Sequence, residues 1–109
     1  MTITKGDTYK FNVTVKDSDG NVFDLSGYTM VFTAKDDITK SDAEADIQKT
    51  ATITDPLTGI GEFVLLPADT DIEVKSYRYD VQISDGGNNV YTVIKNQELK
   101  ITDEVTQDI

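Results

Sequence analysis

Apolar and polar residues alternate along most of the chain, which is the pattern of a β-strand with one buried face. In TYKFNVTVK (8–16) every second residue is apolar, and YTMVFTAK (28–35) repeats the alternation. No segment has the three-to-four-residue period of a long amphipathic helix. The sequence therefore predicts strands over 8–16 and 28–35 in a β-rich protein.

Further apolar segments extend this pattern to the end of the chain. They are VFDL (22–25), IQKTATIT (47–54), GEFVLLP (61–67), YRYDVQIS (77–84) and VYTVIKNQELKIT (90–102). The intervening DSDGN, DPLTG and DGGNN contain the Asp, Asn, Gly and Pro residues that tight turns use. About seven short strands with frequent turns predict an all-β fold, an immunoglobulin-like antiparallel β-sandwich, with a small barrel as the alternative.

The length of 109 residues predicts one domain over 1–109, with a core from about residue 7 to 103 and flexible ends.

KNQE interrupts the alternation of the last strand and predicts a bulge. GEFVLLP has apolar residues at both odd and even positions, which predicts that both faces of this strand are covered. Lys49 is expected on an edge strand.

Several aromatic and aliphatic residues are expected to be structural. Sandwiches of this type often have a tyrosine near the start of the second-to-last strand, with its hydroxyl bonded back to the preceding crossing. Tyr79 is the first choice for that role and Tyr77 the second. The inward faces of the strands are expected to bury Phe11, Phe32, Val81 and Tyr91, whereas Phe23 is expected to be exposed.

Charge narrows the possible partners. Ten Lys and Arg residues against twenty Asp and Glu residues give a net charge of −10, without a basic stripe. Such a field repels nucleic acid and anionic membrane surfaces alike. The first residues lack the features of a signal peptide, and no apolar run approaches the length of a membrane span.

The residue types present argue against an enzyme. The chain has no His and no Cys, which excludes Ser-His and Cys-His nucleophiles, and it has no glycine-rich phosphate loop. We therefore predict no catalytic and no cofactor-binding residues.

The weak candidates for a Ca²⁺ site are Asp17, Asp19 and Asn21, whose oxygens suit that cation. A simple turn is favoured because the spacing departs from the EF-hand pattern. The acidic segment 36–46 is interpreted as a solvated connection.

The order of these segments resembles that of a bacteriophage virion family. ITKGDTYKFNVTVKDSDGNVFDLSGYTMVFTAK, the L-x-P-x-D-T pattern in IQKTATITDPLTGIGEFVLLPADT, and YRYDVQISDGGNNVYTVIKNQELKITDEVT together cover nearly the whole chain. They are similar to the N-terminal domain of phage baseplate upper proteins and to small phage proteins of the same kind.

The resemblance implies assembly rather than chemistry. From the resemblance we expect a structural tail or baseplate protein that docks onto other virion proteins, with self-association as a further option. The alternatives are a capsid decoration or head-fibre protein, and an immunoglobulin-like module that binds a glycan or protein of the host surface. Localisation would be the virion, after synthesis in the bacterial cytoplasm.

Overall fold

A computed structural model describes residues 1–87 and 89–103 of the chain. Its strands are β1 Thr2–Thr4, β2 Tyr9–Thr14, β3 Tyr28–Lys35, β4 Ile47–Thr50, β5 Ile60–Leu65, β6 Ser76–Asp85 and β7 Val90–Thr102. Two 3₁₀ turns, Asp42–Glu44 and Pro56–Thr58, and one turn of α-helix, α1 Pro67–Thr70, interrupt the connections. The all-β prediction is therefore confirmed.

The strands form a five-stranded and a two-stranded sheet. The larger sheet has the order β1-β7-β6-β3-β4, and β2 pairs with β5 in the smaller one. The larger sheet is mixed rather than antiparallel, because β1 runs parallel to β7. Beyond β4 the chain leaves this sheet, and Thr52 bridges to Glu62 of β5, so that the larger sheet curls toward the smaller one. The predicted strand 47–54 is consequently split.

Aromatic side chains join the two sheets in the core. Phe11 of β2 stacks on Phe63 of β5 with a centroid distance of 5.0 Å, and its ring meets Phe32 of β3 edge-on at 5.5 Å. Phe32 and Val81 are fully buried, as predicted, whereas Phe11 is only partly buried. Truncating a buried Phe to Ala typically costs about 3–5 kcal/mol, so this cluster is a major part of the fold's stability.

The amino-terminal segment is part of the fold, contrary to the prediction that it is flexible. Thr2–Thr4 pairs with residues 100–102 of β7, and the side chain of Ile3 is only 2% exposed. The core thus begins at Ile3 rather than near residue 7, because β7 offers an unpaired edge beside an apolar surface. The predicted loose carboxyl-terminal end falls on 104–109, outside the described residues.

Two strand predictions need correction and two details are confirmed. Segment 22–25 makes only the isolated bridge between Val22 and Lys16. In β5 only one face is covered, because Val64 on the other face is exposed in a two-layer fold. Lys49 does lie on an edge strand. The bulge predicted from KNQE is also present, at Lys95 and Asn96, because the register of β6 against β7 shifts between Tyr79 and Val81.

The tyrosine that closes the crossing before β6 is Tyr77, and the assignment to Tyr79 was wrong. The Tyr77 hydroxyl donates to the Glu73 carbonyl oxygen at 2.6 Å, and its ring is 2% exposed. Tyr79 instead packs its half-buried ring on Phe32 at 5.1 Å. The two tyrosines share a strand face, so alternation alone did not distinguish them.

Tyr91 is 50% exposed, so its predicted core position was also wrong. It lies opposite the buried Ile83. Phe23, predicted to be exposed, is partly buried against the core. The small sheet has only two strands and leaves this end of the large sheet's inner face open, which is why Tyr91 is half exposed. Phe23 is covered because its ring packs on that of Tyr28, with a centroid distance of 5.3 Å.

Tyr77→Phe is expected to lower the free energy of unfolding by about 1–2 kcal/mol, because it leaves the Glu73 carbonyl without its partner. The matched control is Tyr79→Phe, which also removes one hydroxyl and is expected to change stability by less than about 0.5 kcal/mol. Urea denaturation of both variants measures the difference. Equal losses would contradict the assignment of the corner to Tyr77.

Candidate functional site

A groove crosses the outer face of the large sheet. It has a volume of about 240 Å³ and is formed by β3, β6, β7 and the loop after β3. Its lining residues are Thr33, Lys35, Ile38, Arg78, Tyr79, Asp80, Lys95 and Asn96. Ligand pockets for drug-sized molecules have volumes of about 300–1,000 Å³, so this groove accommodates a smaller group.

The groove exists because β7 departs from regular pairing at this point. Tyr79 pairs with Gln97 and Val81 pairs with Ile94, which leaves Lys95 and Asn96 opposite the single residue Asp80. The backbone of Asn96 has a φ of 49°, in the left-handed region that Asn tolerates better than most residues. Bulges of this kind re-aim side chains and are common beside functional sites.

Positive charge is concentrated in the groove of an otherwise acidic protein. Lys35 and Arg78 are direct cross-strand neighbours. Lys35 Nζ lies 2.9 Å from Asp42 Oδ1 and donates to the Lys40 carbonyl oxygen at 2.8 Å. The pKa of the Asp80 carboxyl is raised by its partial burial and by Asp42, with Lys35 opposing.

The loop over the groove is held by ion pairs. Asp36 bridges two lysines, at 2.6 Å to Lys40 and 2.8 Å to Lys75, and Lys40 also lies 3.5 Å from Asp46. Hydrogen bonds from Lys40 and Lys75 hold the pKa of Asp36 well below its ordinary value. The acidic segment 36–46 is therefore an anchored loop, in which Asp36, Asp42 and Asp46 are paired with lysines.

The weak Ca²⁺ candidates form a turn. Asp17 Oδ1 accepts hydrogen bonds from the backbone amides of Asp19 at 2.9 Å and Asn21 at 3.0 Å. This carboxylate oxygen is thus used to close the DSDGN turn. Within 1–87 and 89–103, no group of three acidic side chains is arranged to hold a metal ion.

A second surface feature is an aromatic row at the open end of the large sheet. The ring of Tyr28 lies 5.3 Å from that of Phe23 and 6.5 Å from that of Tyr91. Desolvation, together with the neighbouring Tyr91 and Asp85, raises the pKa of the Tyr28 hydroxyl. The row presents apolar rings beside an acidic side chain.

Sequence reasoning did not identify the groove. Alternation places Lys35 and Arg78 on outward faces, and KNQE predicted the bulge that carries Lys95. The juxtaposition of the three required the strand order β3-β6-β7, which no local signal specifies. The weak metal candidates and the structural tyrosine Tyr77 lie elsewhere.

No protein-family model matches the chain, and no curated protein matches it. None of the helices in the described part of the chain is long and apolar enough to cross a membrane.

Asp36→Asn is expected to lower stability at neutral pH and to flatten its acid dependence. A carboxyl with a depressed folded pKa stabilises the fold above its unfolded pKa of about 3.9, and this contribution is lost as the pH falls below that value. The wild type should therefore lose more unfolding free energy than the variant between about pH 4 and pH 2. Urea denaturation across this range measures it.

The control for this experiment is Asp19→Asn, which removes the same charge. The Asp19 side chain makes no hydrogen bond or ion pair with the part of the chain described by the structure. Its pH profile is expected to follow that of the wild type. An Asp36→Asn profile parallel to the wild type would contradict the role of the ion pairs.

Proposed function

We propose that this protein is a non-enzymatic structural component of a bacteriophage tail or baseplate, which docks onto other virion proteins. Its support is the ordered set of motifs that resembles the phage family over nearly the whole chain. Without a family match or a curated relative, the proposal depends on what those motifs do in this fold.

The observation that carries the proposal is a contact between two distant motifs. Thr70, the last residue of LLPADT, donates from its buried hydroxyl to the carbonyl oxygen of Asp7, in KGD, at 2.7 Å. Within LLPADT the carboxylate of Asp69 accepts from the backbone amide of Leu66 at 2.7 Å. The spacing of these two motifs therefore has a structural reason in this fold. We take this agreement as support for the resemblance.

The finer fold class that we assign is the immunoglobulin-like sandwich. Three features support this assignment: the hydroxyl of Tyr77 bonded to the preceding crossing, the pairing of the first strand with the last, and the packing of β2 and β5 over the larger sheet. A scaffold of this class presents edge strands and end loops to partners.

Charge indicates the kind of surface on which the protein docks. A net charge of −10 favours a partner with a basic face, both in the rate of encounter and in selectivity. The same charge opposes self-association of the monomers through their acidic faces. We therefore place other virion proteins ahead of a second copy as the main partner.

Quantitative mass spectrometry of purified virions, against the major capsid protein, tests the proposal. A handful of copies per virion is the expected result, because tails and baseplates contain few copies of each protein. Hundreds of copies would overturn the tail or baseplate placement in favour of a capsid decoration or head-fibre protein. Absence from the virion would overturn the structural role.

The aromatic row Phe23–Tyr28–Tyr91 favours a second candidate, a module that binds a host-surface glycan. Sugar faces stack on exposed rings, and half of Tyr91 is exposed beside Tyr28. A glycan array probed with the wild type and with Tyr91→Ala tests this alternative. Val64→Ala, at an exposed apolar residue on the smaller sheet, is the control. Signals that Tyr91→Ala leaves unchanged would exclude the row as the binding site.

A further inference from the structure

We propose that the outer-face groove is a docking site for a single carboxylate, supplied by an Asp or Glu side chain of a partner protein. The carboxylate chemistry is argued from the groove alone, whereas the protein origin of the occupant rests on the docking role proposed above. The groove's charges, its size and its position on the fold each bear on this assignment.

Two of the groove's three cations are available to a ligand. Lys35 is already held by the Asp42 carboxylate and the Lys40 carbonyl oxygen. Arg78 and Lys95 form no ion pair within the part of the chain that the structure describes, although Glu98 is the cross-strand neighbour of Arg78. In a chain with twice as many acidic as basic residues, two such cations in one groove point to an anionic ligand.

The charge of the groove matches one negative charge. The available cations, Arg78 and Lys95, contribute +2, and the Asp80 carboxylate contributes −1, which leaves +1 among the lining residues; Glu98, opposite Arg78 but outside the lining, lowers this excess further. A carboxylate neutralises this excess. A phosphate dianion would leave a negative surplus beside Asp80 and Asp42, in a protein whose net charge is already −10. The balance therefore favours a carboxylate over a phosphate.

Donor geometry also suits a carboxylate. The planar guanidinium of Arg78 offers two parallel N–H groups, which match the two oxygens of a carboxylate. Lys95 and the amide of Asn96 lie on the bulge, across the groove from β3. A partner carboxylate can thus be approached by donors from two neighbouring strands.

Size and shape indicate a side chain on a larger molecule. A volume of about 240 Å³ holds an acidic side chain with part of its backbone, but is below the usual range for cofactors. Ile38, 65% exposed on the anchored loop, offers an apolar contact at the rim of the groove. An inserted acidic residue flanked by apolar and basic residues would satisfy both the groove and the acidic surface around it.

The first experiment is an NMR titration of the ¹⁵N-labelled protein with acetyl-Gly-Glu-Gly-amide. Its neutral isostere acetyl-Gly-Gln-Gly-amide and inorganic phosphate serve as comparison ligands at constant ionic strength. We expect saturable shifts at the amides of 78–80 and 95–96 with the Glu peptide only, with a Kd on the order of millimolar for so small a ligand. Equal shifts with the Gln peptide, or tighter binding of phosphate, would overturn the carboxylate assignment.

Variants locate the site. Arg78→Gln and Lys95→Gln are each expected to weaken binding of the Glu peptide about tenfold, since each removes a charge-assisted hydrogen bond. Lys16→Gln removes the same charge from the exposed turn after β2 and is expected to bind as the wild type does. Thermal unfolding of each variant establishes that it is folded. Undiminished binding by folded Arg78→Gln and Lys95→Gln would overturn the site.

Carbodiimide cross-linking of purified virions tests the origin of the occupant. The reagent joins a lysine amine to a contacting carboxylate as an amide, with loss of water. We expect Lys95 to be linked to an Asp or Glu of another virion protein. A protein that is in the virion but lacks this link would overturn the occupant, whereas absence from the virion would overturn the proposed function and leave the peptide titration as an independent test.

Discussion

The stacking of Phe11 and Phe63 against Phe32 is the contact on which the rest of the structure depends. It joins β2 and β5 to the middle of the five-stranded sheet, with ring centroids 5.0–6.0 Å apart. Because the smaller sheet has only two strands, this contact has to cover the centre of a much wider inner face. The ends of that face remain partly open, which is why Tyr91 is half exposed although it points inward.

The excess of acidic residues determines how the loops are held. Acidic residues outnumber basic ones two to one, and the lysines near the 36–46 loop contact several carboxylates at once, as Lys40 does with Asp36 and Asp46. Surface ion pairs are individually weak, but a shared network holds a loop more effectively than separate pairs do. This loop contributes Ile38 to the lining of the groove. The ion pairs that hold the loop therefore also fix one edge of the groove on the outer face of the sheet.

Much of the fold could be predicted because strands leave a local signature. The bounds of β3 and β7 match the predicted 28–35 and 90–102, and the bulge in β7 was signalled by KNQE. Predictions failed where a residue's environment depended on a distant strand. Tyr77 and Tyr79 share one face, and only the position of the crossing decides which hydroxyl reaches Glu73. Val64 lies in a segment whose apolar composition predicts two covered faces. It is nevertheless exposed, because no third layer covers it in the described part of the chain.

The strands, the turns and most of the buried residues thus follow from short-range physical chemistry, because their signals lie within a few neighbouring positions of the sequence. Composition by itself also excludes histidine and cysteine chemistry, because the chain contains neither residue. Only the tertiary structure decided that Thr2–Thr4 joins β7, that the sheet is mixed, and that Lys35, Arg78 and Lys95 lie along one groove. These features arise from pairing between segments up to about a hundred residues apart, and such pairing is selected by the global packing of the core rather than by any local pattern.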